Sequence, residues 1–252
     1  MKKELKGDKI IIAERPQSAN NDCGLLKFGA VMEILYKDKN LVAVVKPAGI
    51  PSQPDLSADK DAMTLTKEAL FAYGEKNCEL YLVHRLDRVV GGILVFARNK
   101  KSAAALSSLI SERGAVKEYL AVVEGMADGG ELIDFLSKDA RAGKAIVSDK
   151  KRAGAKEARL EYVKISAKET EKGIRTLVRV RLHTGRFHQI RAQLSSHGNA
   201  IVGDGKYTST DKGSLYPALF AFRLSFELDG KSYKFEKNPE TENYPWSIFD
   251  YD

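Results

Sequence analysis

Apolar and polar positions divide the chain into short periodic segments. VMEILYKDKNLVAVVKPAGIPSQP reads as two strands, over 31–36 and 41–46, joined by a Lys-Asp-Lys-Asn turn and closed by a proline- and glycine-containing loop. DAMTLTKEALFAY has helical spacing and puts Leu65, Ala69, Leu70 and Tyr73 on one side. In LVHRLDRVVGGILVFAR, Gly91-Gly92 separates a charged half from ILVFA, a continuous apolar run that predicts a buried strand. A helix over NKKSAAALSSLISE is favoured at its start by Asn99. AVKEYLAVVEG predicts an alternating strand whose larger apolar members are Val116, Tyr119, Val122 and Val123. Further strand-like runs lie around 144–148, 157–166 and 174–182, the last alternating Ile174, Leu177, Val178, Val180 and Leu182 among arginines.

HTGRFHQIRAQLSSHGNAIVGD leaves that strand for a short helix that Gly198 can end. Phe187, Ile190 and Leu194 are expected on one helix face, which leaves Arg186, His188 and Arg191 near its start. LFAFRLSFELDGKSYKFE predicts a hairpin around Asp229-Gly230. Strands outnumber helices and do not alternate strictly with them. The expected fold is therefore α+β, a mixed, mostly antiparallel β-sheet flanked by helices and loops. Residues 1–30 are polar and lack clear periodicity, and are expected to be an extension, leaving 31–252 as one domain.

At 252 residues with 43% hydrophobic content the chain can bury a sizeable core. Cys23 and Cys78 lack the spacing of a zinc or redox site and are expected to be reduced thiols. No run approaches the ~20 apolar residues of a membrane span, and MKKELKGDKIII is too short in apolar length for a secretory signal. A cytoplasmic protein without a membrane partner is expected. Forty-one Lys and Arg against 34 Asp and Glu leave a net charge of +7, which favours an anionic partner, nucleic acid foremost. Charge alone reaches only as far as the phosphate backbone.

The placement of His84, Arg85, Asp87 and Arg88 at the mouth of a buried strand asks for a reason. Taken singly, Asp87 can cap a turn, Tyr119 can belong to the core, and Arg186 and Arg191 can be solvated. The order of the segments, however, resembles the RluA-type pseudouridine synthases. Their HRLDxxTSGxxxxA pattern is matched by His84-Arg85-Leu86-Asp87, Gly92 and Ala97. Their TGRxHQIRxHLxxxGxPIxGDxxY pattern is matched by Thr184-Gly185-Arg186-Phe187-His188-Gln189-Ile190-Arg191, then Leu194, Gly198, Ile201, Gly203-Asp204 and Tyr207. A KPxG element stands at Lys46-Pro47-Ala48-Gly49, and a Lys-x-Tyr strand at Lys117-Glu118-Tyr119. LFAFRLSFE looks like the closing strand, so the resemblance spans about residues 31 to 237. Three positions depart from it: Val90-Gly91 replaces Thr-Ser, Gln193 replaces a histidine, and Thr208 replaces a glycine.

The resemblance implies isomerisation of particular uridines in ribosomal or transfer RNA to pseudouridine. That reaction breaks the N1–C1′ bond, rotates the uracil and rebonds it through C5, so no cofactor or metal is expected. By resemblance Asp87 is the nucleophile; attack at C1′, attack at C6 and assistance to an elimination at the sugar are all consistent with it. Arg191 is implied as its ion-pair partner, Tyr119 as the surface for the flipped uracil with a hydroxyl able to help move the C5 proton, and Arg85 as the residue filling the vacated space. Arg186 and His188 are expected to face RNA, His84 and His188 to organise their loops, and His183 and His197 to be structural or solvent-facing. Asp204 is expected to be a turn or hydrogen-bond residue near the site. Lys100, Lys101, Lys150, Lys151 and Lys156 are candidates for tracking phosphates or for a solvated face. A monomer is expected. An RNA-binding or chaperone-like protein with weak catalysis is the alternative, motivated by Val90-Gly91. A hydrolase using Asp87 and His84 lacks an accompanying Ser or Cys nucleophile motif.

Overall fold

The computed structural model describes residues 32–55 and 59–251. The proposed extension over 1–30, with Cys23, and the expected strand start at Val31 lie outside the described residues. In chain order the elements are β1 (Glu33–Lys37), β2 (Leu41–Lys46), α1 (Ala62–Ala72), β3 (Tyr81–Leu82), β4 (Gly91–Ala97), α2 (Lys100–Ser111), β5 (Val116–Glu124), β6 (Gly129–Asp139), β7 (Lys144–Ser148), β8 (Lys156–Thr170), β9 (Gly173–Leu182), α3 (Gln189–Ser196), β10 (Leu219–Leu228) and β11 (Lys231–Glu236). One mixed sheet runs β1-β2-β4-β10-β5-β9-β8-β6-β7, with β11 on β10 and β3 on β4. Among the described residues, only β4 and β10 pair in parallel. The α+β architecture expected from the sequence is the one observed.

Local chemistry explains several boundaries. Asp61 caps α1 by accepting the Met63 and Thr64 amides, and Asn99 caps α2 by accepting that of Ser102. The β10–β11 turn puts both Asp229 and Gly230 at positive φ, the requirement of a two-residue hairpin. β2 and β4 read as continuous apolar runs because both of their faces are covered. Val42, Val44, Leu94 and Phe96 meet α1, whereas Leu41, Ala43, Ile93 and Val95 lie with Leu106 of α2 and the aromatic residues of β11.

The structure corrects four expectations. β6 was not foreseen. Its inward set, Leu132, Asp134 and Leu136, is interrupted by a carboxylate, while the outward Ile133 is apolar and 56% exposed, so the segment lacks clean alternation. β5 does not alternate throughout, because Leu120–Val123 are all buried in the middle of the sheet. Tyr73 leaves the apolar side of α1 and stands 59% exposed at its C-cap. Phe187 precedes α3 and packs with Ala192 and Tyr207, whereas Ile190 and Leu194 enter the main core. His188, in the left-handed conformation at φ 52°, makes that break in direction.

Gly92 sets the mouth of the central strand. A Cβ there would fall 2.4–2.7 Å from the backbone of Ala221 on β10, and its φ is 120°. The parallel β4–β10 contact therefore requires glycine. Gly92→Ala is expected to destabilise the fold by about 3 kcal/mol or more, read by denaturant unfolding. A variant as stable as wild type would show that the two strands can separate at no cost.

Candidate active site

The loop His84–Val90 connects β3 to β4, and every charged group in it has a distinct task. His84 Nε2 accepts the Val95 amide of β4 at 3.0 Å. Burial, with the charge of Lys117, lowers its pKa to about 3, so it is a neutral acceptor that fastens the loop to the strand. Buried Ser52 accepts the Leu86 amide at 3.1 Å and donates to the Leu86 carbonyl at 2.9 Å. Arg88 donates through Nε to the Gly49 carbonyl, and the Gly49 amide donates to the Arg88 carbonyl at 2.8 Å. Lys46, fully buried, donates to the carbonyls of Pro47, Ile50 and Arg88. Burial pulls its pKa down to about 7, against the attraction of Asp87.

These ties hold the loop from both sides of Asp87. The Val90 amide closes a turn onto the Asp87 carbonyl at 3.0 Å, and the Val90 side chain enters the core. The loop is thus anchored without hydroxyls at 90 and 91.

Asp87 faces the start of α3. Its Oδ2 lies 3.4 Å from Arg191 Nη1 and 3.7 Å from His188 Nε2. Burial raises the Asp87 pKa above its ordinary value, with Arg191 and Arg85 opposing and Asp204 reinforcing the rise. Arg191, the ion-pair partner implied for Asp87, makes its bidentate contact with a different carboxylate. Arg191 Nε and Nη2 meet Asp204 Oδ2 and Oδ1 at 2.6 and 2.9 Å, both side chains being almost wholly buried. Asp204 fixes the guanidinium, and Nη1 is left for Asp87. Asp204 is therefore a hydrogen-bond residue of the site, as the sequence reading held, but its object is Arg191.

Tyr207 completes the arrangement. Its ring lies beneath the Arg191 guanidinium, 5.1 Å from ring centroid to Cζ, and its hydroxyl accepts the Ala145 amide at 2.6 Å. The same hydroxyl is 2.9 Å from His188 Nδ1. Burial and the charges of Arg191 and Lys206 lower the His188 pKa to about 3. With the imidazole neutral, the tautomer that leaves no hydroxyl proton unpaired accepts from Tyr207 at Nδ1 and turns an Nε2 proton toward Asp87.

Tyr119 lies on β5, opposite Ala221 of β10 and Val180 of β9, which places it at the centre of the sheet. Burial and the charge of Asp87 push its pKa upward, so it is held as a neutral phenol. Arg85, Asp87, Tyr119, Arg186, His188 and Arg191 all line one cleft of about 280 Å³. The six residues implied as catalytic or RNA-facing therefore converge. Arg85 is exposed, and Arg186 donates through Nε to the Glu157 carbonyl of β8. His197 pairs with Asp134 at 3.1 Å. The sequence reading assigned no role to Lys46 or Tyr207, although both stand inside the matched KPxG and GDxxY elements.

The other departures serve the scaffold. Gln193 Nε2 donates to Asp134 and to the carbonyls of Leu132 and Ala158, fastening α3 to β6 and β8, while its buried Oε1 has no partner among the described residues. Thr208 adopts φ 69°, a left-handed position that ordinarily favours glycine, and its hydroxyl meets Ser195 at 2.8 Å.

The cleft thus holds a carboxylate beside a buried guanidinium and a tyrosine ring. The family model "RNA pseudouridylate synthase" matches residues 40–196. The chain belongs to the RNA pseudouridylate synthase family, and its motifs are those of the RluA type. It is 28% identical over 240 residues to "Ribosomal large subunit pseudouridine synthase D" of Borreliella burgdorferi, covering 91% of this chain and 71% of that protein. It is 32% identical over 189 residues to "tRNA pseudouridine synthase C" of Pasteurella multocida, covering 70% of this chain and 74% of that protein. The solved structure of "Human RNA Pseudouridylate Synthase Domain Containing 1" shares the fold, with a TM-score of 0.69 at 21% identity over 86% of this chain and 87% of that one.

The two partly buried imidazoles make stability sensitive to acid. Unfolded, each protonates near 6.5; folded, only near 3. The unfolded state thus binds more protons across that window, and stability falls as pH is lowered through it. The unfolding midpoint is expected to drop between about pH 7 and about pH 5, and to drop less in His84→Gln, whose amide oxygen keeps an acceptor for Val95. An identical drop in both proteins would show that His84 is not buried neutral.

Proposed function

We propose that this protein converts uridines in folded ribosomal or transfer RNA to pseudouridine, with Asp87 as nucleophile. The observation that carries the reading is the position of Asp87, in the same cleft as Tyr119 and held against a guanidinium that Asp204 has already oriented. Ionised Asp87 begins the reaction whether its attack falls on C1′ or C6, or whether it assists elimination at the sugar. Arg191 offsets the burial that favours the protonated acid. The neutral Tyr119 ring suits stacking on a flipped uracil, and its raised pKa disfavours a resting phenolate base. Exposed Arg85 is proposed to fill the gap that the uridine leaves, and Arg186 and His188 to face the RNA strand.

RNA is the proposed partner, ribosomal or transfer RNA being the two classes named for the relatives above. We propose that residues 31–252 form the catalytic unit, acting as a cytoplasmic monomer without a cofactor. Among the described residues no helix is long and apolar enough to cross a membrane. The reading as a binding protein with weakened catalysis rested on a loop loosened at Val90-Gly91; the ties from Ser52, Lys46 and Arg88 oppose it.

Chemical mapping of pseudouridine on unmodified transfer and ribosomal RNA, after incubation with the wild-type protein, is expected to reveal a new site. Tight RNA binding with no new site on either would favour the binding reading. The raised Asp87 pKa places the acid limb of kcat/KM above the usual carboxylate value. Asp204→Asn removes a like charge from its neighbourhood and is expected to shift that limb to lower pH. Loss of the Arg191 anchor should also lower kcat by about 10- to 100-fold. An unchanged limb and unchanged kcat would remove Asp204 from the account.

A further inference from the structure

A second cleft of about 550 Å³ opens where β5 begins and β9 ends, beside the C-terminal end of α2. It shares Lys117, Gly185 and Arg186 with the cleft that holds Asp87, so the two are continuous. Arg113, Lys117, Arg159, Arg181 and Arg186 line it together with His183, and no carboxylate is among its lining residues. These side chains come from four separate places in the chain, and the fold gathers them on one side of the active site. The lysines singled out from the sequence, Lys100, Lys101, Lys150, Lys151 and Lys156, are exposed and line neither cleft.

Several of these cations are uncommitted. Lys117 is partly buried, burial lowers its pKa, and among the described residues it forms no ion pair. It stands two residues before Tyr119 on β5, which gives both side chains the same side of the sheet. Arg186 is bonded through Nε to the Glu157 carbonyl, and among the described residues its two terminal nitrogens make no bond. His183 Nε2 makes no hydrogen bond among the described residues and lies 3.6 Å from Glu161 Oε2, so it is not one of the uncommitted groups. Arg113 closes α2 at a φ of 65°, a left-handed position usually given to glycine. Arg159 and Arg181 do have acids, Glu131 and, at 3.5 Å, Glu161, but in solvent-exposed pairs that hold little energy.

We propose that this cleft binds the RNA phosphates next to the isomerised uridine, so that the strand leaving the active site runs between the end of α2 and the loop 183–186. The proposal rests on the pseudouridine synthase reading for the identity of its polyanion. A partly desolvated, unpaired lysine at the junction of the two clefts gains an anionic partner when a phosphodiester arrives, and arginines farther out continue the track. Lys117 would then serve two ends, lowering the His84 pKa in the free protein and meeting the first phosphate in the complex.

The test is RNA binding by the full chain across a salt series, with unmodified bulk transfer RNA and ribosomal RNA as probes. Arg113→Gln/Arg181→Gln is compared with Lys168→Gln/Lys234→Gln, which removes the same charge from β8 and β11 outside the cleft. The cleft variant is expected to raise Kd about tenfold at near-physiological salt, and to flatten the slope of log Kd against log salt by about one to two. The control variant is expected to keep the wild-type Kd and slope. Should the double variant fail to fold, Arg113→Gln alone is expected to flatten the slope by about one. Slopes equal to wild type, or equal losses in the two double variants, would overturn the proposal. Pseudouridine formation by wild type is scored on the same RNA: its absence would count against the reaction, whereas the binding slope decides the cleft by itself.

Discussion

The buried pair between Arg191 and Asp204 is the constraint on which the site depends. A guanidinium withdrawn from water must be matched in charge and geometry, and removing one member of such a pair typically costs about 3–5 kcal/mol. Here Asp204 takes two of the Arg191 nitrogens at 2.6 and 2.9 Å, and the Tyr207 ring supports the guanidinium. The third nitrogen can then point at Asp87 without either residue being free to reorient. α3 carries Arg191, and Gln193 ties that helix to β6 and β8. The position of a single nitrogen is thereby referred to the sheet.

The same economy explains why charge collects at the mouth of β4. His84 is neutral and acts through its acceptor, Arg88 is a clamp on the Lys46–Gly49 element, and Asp87 and Arg85 are the charged members of the loop that line the cleft. A buried lysine holds the Arg88 carbonyl of the loop, and a buried serine holds both the amide and the carbonyl of Leu86. A loop held this way does not require side-chain hydroxyls at 90 and 91. The smallness of Gly92 answers a different demand, the approach of β10.

Much of this was legible in the sequence because it depends on local chemistry or on motif order. The apolar runs of β2 and β4, the Asn99 cap and the Asp229-Gly230 turn follow from short-range rules, and the ordered motifs brought Asp87, Tyr119 and Arg191 into one proposal. What escaped depends on partners distant in the chain. β6 hid because its inward Asp134 is satisfied by Gln193 and His197, roughly sixty residues away, so a buried position carried a polar letter. Phe187 was misplaced because a left-handed His188 turns the chain just before the helix. The preference of Arg191 for Asp204 over Asp87 is a matter of distances that no spacing encodes. The basic cleft likewise joins residues from 113 to 186 that share no motif.

The most direct measurement is single-turnover formation of pseudouridine by wild type and by Asp87→Asn, with RNA affinity and unfolding measured on the same preparations. Asparagine keeps the shape of the side chain and removes its charge. The account predicts a variant that folds, binds RNA about as tightly as wild type and forms no detectable pseudouridine. Turnover retained in Asp87→Asn, on an RNA that wild type modifies, would contradict the assignment of Asp87 as nucleophile.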